Sequence, residues 1–160
     1  MSTLAYSHLD TPLGWVRIEA DDQAITAIGF VEATDESHPE NDLTRLAADQ
    51  LAAYFKRDRT EFDLPLAPKG TDFQRAAWQA LRKIPYGETR YYAQQADLIG
   101  RPSAIRAIGA ANGANPIAIV VPCHRVIGKN GSLTGYAGGL DKKEWLLAFE
   151  QGGLSQEPLL

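Results

Sequence analysis

From residue 15 the chain alternates: Val16, Ile18 and Ala20 face one way and Arg17 and Glu19 the other, the period of a half-buried strand. A second apolar run, Ala24 to Phe30, follows the short Asp21-Asp22-Gln23 turn, so the two read as a hairpin. After an acidic, loop-like stretch from Glu32 to Glu40 the period changes. Leu43, Leu46, Ala47, Leu51 and Tyr54 recur on one helical face, with Asn41 placed to cap it. Pro65-Leu66-Ala67-Pro68-Lys69-Gly70 then breaks the pattern, which predicts two domains, 1–68 and 69–160. Thr71 and Gln74 have the spacing of a capping box, and Phe73, Ala77, Ala80, Leu81 and Ile84 form the apolar face of a helix that stops at Pro85-Tyr86-Gly87. A short helix from Tyr92 to Ile99 ends at Gly100-Arg101-Pro102. Ser103 is positioned to cap a second helix running to about Asn112, with Ile105 and Ile108 inward and Arg106, Ala110 and Gly113 outward. Two such helices around a glycine-containing turn predict a helix-turn-helix. Ile119-Val120-Val121 reads as a strand halted by Pro122.

Composition narrows the setting. At 160 residues, 44% hydrophobic and 22% charged, the chain has room for one large or two small domains. The single cysteine excludes an intrachain disulfide, no Cys-x-x-Cys pair or His/Cys cluster offers metal ligands, and no cofactor is called for. The first ten residues lack a secretory pattern, and the longest aliphatic run, Ile117 to Val121, is far too short to cross a bilayer. The expectation is a cytoplasmic protein with no membrane partner.

The net charge of −4 argues against nucleic acid until it is mapped. Residues 1–68 carry 5 Lys/Arg against 13 Asp/Glu, whereas residues 69–145 carry 11 against 5. The second half is the one suited to an anionic partner. Arg75, Arg101 and Lys129 are candidate phosphate contacts by charge alone. The outward side of the second helix, small residues around Arg106, lets a groove come close but is poorly equipped to read base edges.

The sole nucleophile candidate is Cys123, directly followed by His124 and Arg125. A free thiol is mostly protonated at neutral pH, so a base or cation beside it is needed for nucleophilicity. On a strand, neighbours point to opposite faces, and His124 reaches Cys123 only if the chain turns there or a water bridges the two. In isolation a lone cysteine reads as a small buried hydrophobe.

The context of that cysteine separates the two readings. Pro122-Cys123-His124-Arg125-Val126-Ile127, with Asn115-Pro116 before it and Gly135-Tyr136-Ala137-Gly138-Gly139 after it, resembles the O6-alkylguanine-DNA alkyltransferases. The likeness runs from about Gly70 to Glu150. It implies an α+β chain: a small RNase H-like sheet-plus-helix domain, then a helical, winged-helix-like domain containing the helix-turn-helix. It also implies direct-reversal repair of duplex DNA containing O6-alkylguanine, and O4-alkylthymine, with no obligate protein partner and no cofactor. The alkyl group passes irreversibly to Cys123. A glutamate-histidine-water chain, here Glu150 and His124, deprotonates the thiol. Tyr92 donates to the base, and Val126, Tyr136, Ala137 and Lys143 line its pocket. Asn115 joins the recognition helix to the active-site segment. On the DNA side the likeness points to the second helix, Ser103, Ala104, Arg106, Ala107 and Ala110, with Arg106 filling the gap left by an extruded base; Arg101 and Arg75 join this surface on charge alone. Relatives carry serine where Tyr91 and Ala137 stand here. Alkyltransferase-like damage-binding proteins lack the cysteine that Cys123 supplies, and a Cys-His hydrolase would leave the outward arginine without a purpose.

Overall fold

A computed structural model describes residues 4–131, 133, 136 and 138–152. The chain divides into two compact units, the first ending at Lys69 and the second beginning at Gly70.

In the first unit, β1 (Ala5–Thr11), β2 (Gly14–Ala20) and β3 (Ile25–Val31) form an antiparallel sheet in that order. The alternation expected in β2 is realised, with Val16, Ile18 and Ala20 all buried. The hairpin β2–β3 keeps its register until a bulge at Glu19/Ala20. β1 carries no comparable apolar signal, because its buried positions are Ala5 and Ser7. Ser7 is acceptable in the core because its hydroxyl donates to Glu40 Oε2 at 2.6 Å.

Helix α1 (Asp42–Phe55) packs on this sheet. Asn41 caps it reciprocally with Thr44. Ala47, Leu51 and Tyr54 are buried as their spacing requires, but Leu46 is 42% exposed and the polar Thr44 and Gln50 take buried places instead. Gln50 is satisfied by exchanging two hydrogen bonds with the backbone of Asp63. The proline-rich segment is no free linker at its start: Ile25 donates to the Pro65 carbonyl and Ala67 to the Ile25 carbonyl, laying Leu66 parallel to β3.

The second unit begins with α2 (Asp72–Leu81), capped by the Thr71/Gln74 box at 3.0 and 3.1 Å. It ends earlier than Pro85, although Ile84 is still buried. β4 (Arg90–Tyr91) leads directly into α3 (Tyr92–Leu98), and α4 (Ile105–Gly113) follows the Gly100–Ser103 turn. Two expectations for α4 are corrected. Its N-cap is Ala104, with no side-chain bond, so Ser103 is not the cap. Ile105 is 45% exposed, and the inward residues are Ile108, Ala111 and Asn112. Ile105 is the first residue of the helix, one turn before Ile108, and lies at the exposed end of that face.

The largest correction is Ile119–Val121, which is a buried turn and not a strand. Ile119 has φ +70°, a left-handed conformation rare for a β-branched residue. Asn115 closes this loop on itself, accepting from Ile117 N at 3.0 Å and donating to the Val121 carbonyl at 2.8 Å. A wholly apolar run has no period to distinguish strand from buried turn. The chain then forms a short 3-10 helix, Cys123–Arg125, then β5 (Val126–Ile127), parallel to β4, and finally α5 (Leu140–Glu150).

Candidate functional site

Cys123 opens the 3-10 helix immediately after Pro122, and its sulfur lies 3.3 Å from Asn115 Nδ2. The residue keeps only 6% exposure. Burial pushes the thiol pKa up, opposed in part by the Asn115 hydrogen bond and the positive charge of Lys143. At rest the sulfur is therefore a thiol, and reaction requires that its proton be taken.

His124 is fully buried, with Nε2 at 2.7 Å from Glu150 Oε2. Burial holds the imidazole pKa below its usual value despite the carboxylate beside it, with Arg125 and Lys143 adding to the decrease. Glu150, the last residue of α5, is buried too. Burial alone would raise its pKa, but His124 and Arg125 outweigh burial and hold it far below the carboxylate range. An ionised carboxylate can only accept, so Nε2 carries the proton and Nδ1 presents a lone pair. Nδ1 has no hydrogen-bond partner among the described residues. The ring is thus a neutral base with one free acceptor, oriented by a carboxylate.

Arg125 was a candidate for stabilising the thiolate; it instead grips Glu150 with Nε and Nη2 at 2.7 and 3.0 Å. Its Nη1 donates to the Ile84 carbonyl at 2.7 Å, tying the turn after α2 to the end of α5. At the same place Gly87, at φ +80°, sits so near the Glu150 carbonyl that a Cβ there would approach to 3.2 Å. The sequence carried a signal for this pair, since an arginine inside an apolar segment needs a carboxylate.

Lys143 lies two helical turns before Glu150 on α5 and is fully buried, donating to the Val126 carbonyl at 2.6 Å. Its Nζ is 5.9 Å from the centre of the Tyr92 ring. Tyr136 is buried, which with the nearby charges of Cys123 and Glu150 keeps its hydroxyl protonated. Cys123 thus contacts Asn115 and His124 contacts Glu150, the two pairs meeting through adjacent residues of the 3-10 helix, and Lys143 reaches both the Val126 carbonyl and the Tyr92 ring. Ala137 lies outside the described residues.

Arg106, Ala107 and Ala110 are exposed on α4, Arg101 and Ser103 are exposed in the preceding turn, and Ala104 is half-buried. Arg75 stands on α2 with its guanidinium bound locally to Asp72 and the Gly70 carbonyl. Lys129 is exposed. Among the described residues no three of His, Cys, Asp or Glu converge to hold a metal ion.

A helix-turn-helix unit whose only thiol sits beside a carboxylate-oriented imidazole defines a nucleophilic group-transfer site on a DNA-binding scaffold. Residues 72–152 match the family described as 6-O-methylguanine DNA methyltransferase, DNA binding domain, and residues 4–68 match its ribonuclease-like domain. The chain belongs to the 6-O-methylguanine DNA methyltransferase family. It is 48% identical over 151 residues to a methylated-DNA–protein-cysteine methyltransferase of Methanosarcina acetivorans, covering 91% of this chain and 97% of that one. It is 50% identical over 153 residues to one from Mycolicibacterium paratuberculosis, covering 92% and 93%. The crystal structure of Mycobacterium tuberculosis O6-methylguanine methyltransferase superposes with a TM-score of 0.86 at 46% identity, covering 97% of both chains. A structure of Mycobacterium tuberculosis OGT in complex with DNA gives 0.85 at 48% identity, covering 93% of this chain and 94% of that one.

Proposed function

We infer that this chain repairs O6-alkylated guanine in DNA by moving the alkyl group to Cys123. The observation that carries the reading is the buried Cys123 thiol beside an imidazole locked by Glu150 with Nδ1 left as an acceptor. The thiol proton passes to Nδ1 through a water, and the imidazolium that forms is stabilised by Glu150. Because Arg125 already compensates that carboxylate, the ion cluster does not gain net charge beyond the one proton. The sulfur then attacks the alkyl carbon, an S–C bond forms, and the bond from carbon to guanine O6 breaks. Tyr92 donates a hydrogen bond toward the leaving base, which meets the charge developing on guanine, and the proton that left Cys123 for His124 returns through solvent to neutralise the departed guanine.

A base stacked inside a duplex cannot meet a sulfur with 6% exposure. The nucleotide must leave the helix, at a cost of a few kcal/mol, and Arg106 offsets part of it by entering the vacancy. Arg101, Lys129 and the Ser103–Ala110 surface hold the backbone around the lesion. The product is a thioether that no protein side chain hydrolyses, so each molecule acts once.

The test is incubation with a duplex containing O6-methylguanine, followed by peptide mass analysis, with Cys123→Ser as the control. The expected result is one methylene's mass added to the Cys123 peptide, saturating at one equivalent and absent in the variant. Methyl on another residue, or turnover beyond one equivalent, would overturn the assignment.

A further inference from the structure

Between α3 and α4 lies a polar contact that the chemistry above leaves unused. Gln95 on α3 is fully buried and Asn112 on α4 is 3% exposed, and their amides exchange two hydrogen bonds of 2.8 and 2.7 Å. Gln95 Nε2 also donates to the Ala77 carbonyl of α2 at 3.1 Å. Trp78 Nε1, on α2, donates to the Ala111 carbonyl of α4 at 2.8 Å. Three helices are therefore tied by directed bonds at one level.

Stability does not account for this choice. A buried amide pair replaced on both sides by apolar groups of the same shape costs little or nothing, whereas each half left alone is expensive. What the pair supplies is direction. The buried apolar contact among these helices is made by Ala77, Ala96, Ile108 and Ala111, with the partly buried Phe73, Tyr92 and Ile99 packed against it. Three of the four buried residues are alanines, and methyl-sized surfaces slide over one another with little change in energy, so they define the separation of α4 from its neighbours better than its rotation. The amide bonds define the rotation.

Rotation of α4 matters for both ends of the reaction. Arg106 projects from its outer side, and a turn of about 20° would displace an atom roughly 6 Å from the helix axis by about 2 Å. Asn115, three residues beyond Asn112, holds the Cys123 sulfur. We propose that the Gln95–Asn112 pair is a positioning device that fixes the rotation of α4, and so aims Arg106 at the duplex in register with Cys123. The proposal rests on the function inferred above.

The decisive variant is Gln95→Met with Asn112→Leu, which removes both amides and keeps the volume. Cys123 methylation is timed with an O6-methylguanine duplex and with the free O6-methylguanine base, and stability is followed by urea unfolding. The expected result is a folded protein whose rate on the duplex drops about tenfold or more relative to its rate with the free base, within the hundredfold that a 1 Å misplacement can cost. Gln95→Met alone, assayed for the same ratio, decides the matter if the double variant does not fold. An unchanged ratio of duplex to free-base rates in a folded variant overturns the positioning role and leaves the pair a packing feature. Wild-type protein that methylates Cys123 with neither substrate removes the inferred function, and this proposal with it.

Discussion

Glu150 keeps its charge where little water reaches it, because Arg125 and His124 surround the carboxylate with donors. Replacing it strands a buried guanidinium. Glu150→Gln should cost about 3–5 kcal/mol, the range for breaking a buried pair from one side. Urea unfolding measures that loss, and the variant should also transfer methyl more slowly, since His124 loses the anion that stabilises its protonated form. The same cluster predicts the acid response. Below the ordinary histidine value near 6.5 the unfolded chain binds a proton that buried His124 refuses, so stability falls as pH falls. Glu150 lies below its ordinary 4.5, so its contribution is present above that value and lost on further acidification. The urea midpoint should decline in two stages, and His124→Asn should remove the upper one while weakening the lower, since His124 also helps to hold Glu150 down. A midpoint of the wild type that stays level from neutrality down to 4.5 would contradict the buried neutral imidazole.

Helix α4 combines one long cation with positions that carry almost no side chain. Arg106→Ala should slow duplex repair about ten- to a hundredfold, in line with losing part of a base-extrusion cost of a few kcal/mol, and should affect the free base far less. Equal slowing of both substrates would remove its intrusion role. Gly109 sits inside the helix with nothing within 4 Å of where a Cβ would be. Glycine there costs about 0.5–1 kcal/mol relative to alanine, and nothing inside the fold requires it. Gly109→Ala should therefore raise thermal stability while weakening duplex binding, measured by melting and by DNA titration. A variant that gains stability and binds the duplex unchanged would show that the groove does not approach this position. The existence of this helix was legible in its spacing, but its start was not, because Ser103 satisfies the rule for a cap without serving as one. Likewise the apolar run before Cys123 could not declare itself a turn; Asn115 bonding to both ends of the loop decides that.

Across the whole molecule, charge is divided so that an overall −4 conceals a basic second unit. Phosphate contacts release counterions on binding, so repair of duplex at limiting concentration should slow steeply as salt rises from 50 to 200 mM, on the order of several-fold or more per set of contacts. Reaction with the free base should barely respond. Salt-independent duplex kinetics would place DNA binding elsewhere than on these cations. The alternation of β2, the cap at Asn41, the capping pair Thr71/Gln74 and the helix-turn-helix were determined by sequence alone, because each depends on neighbours a few positions away. The likeness of the Pro122–Ile127 segment to a known family likewise pointed to Cys123 before any geometry was known. Only the tertiary structure decided that Arg125 holds Glu150 from 25 positions away and Ile84 from 41, that Lys143 is buried, and that Gln95 meets Asn112. A buried polar group declares that it needs a partner but not which one, since that choice is made by packing between segments distant along the chain.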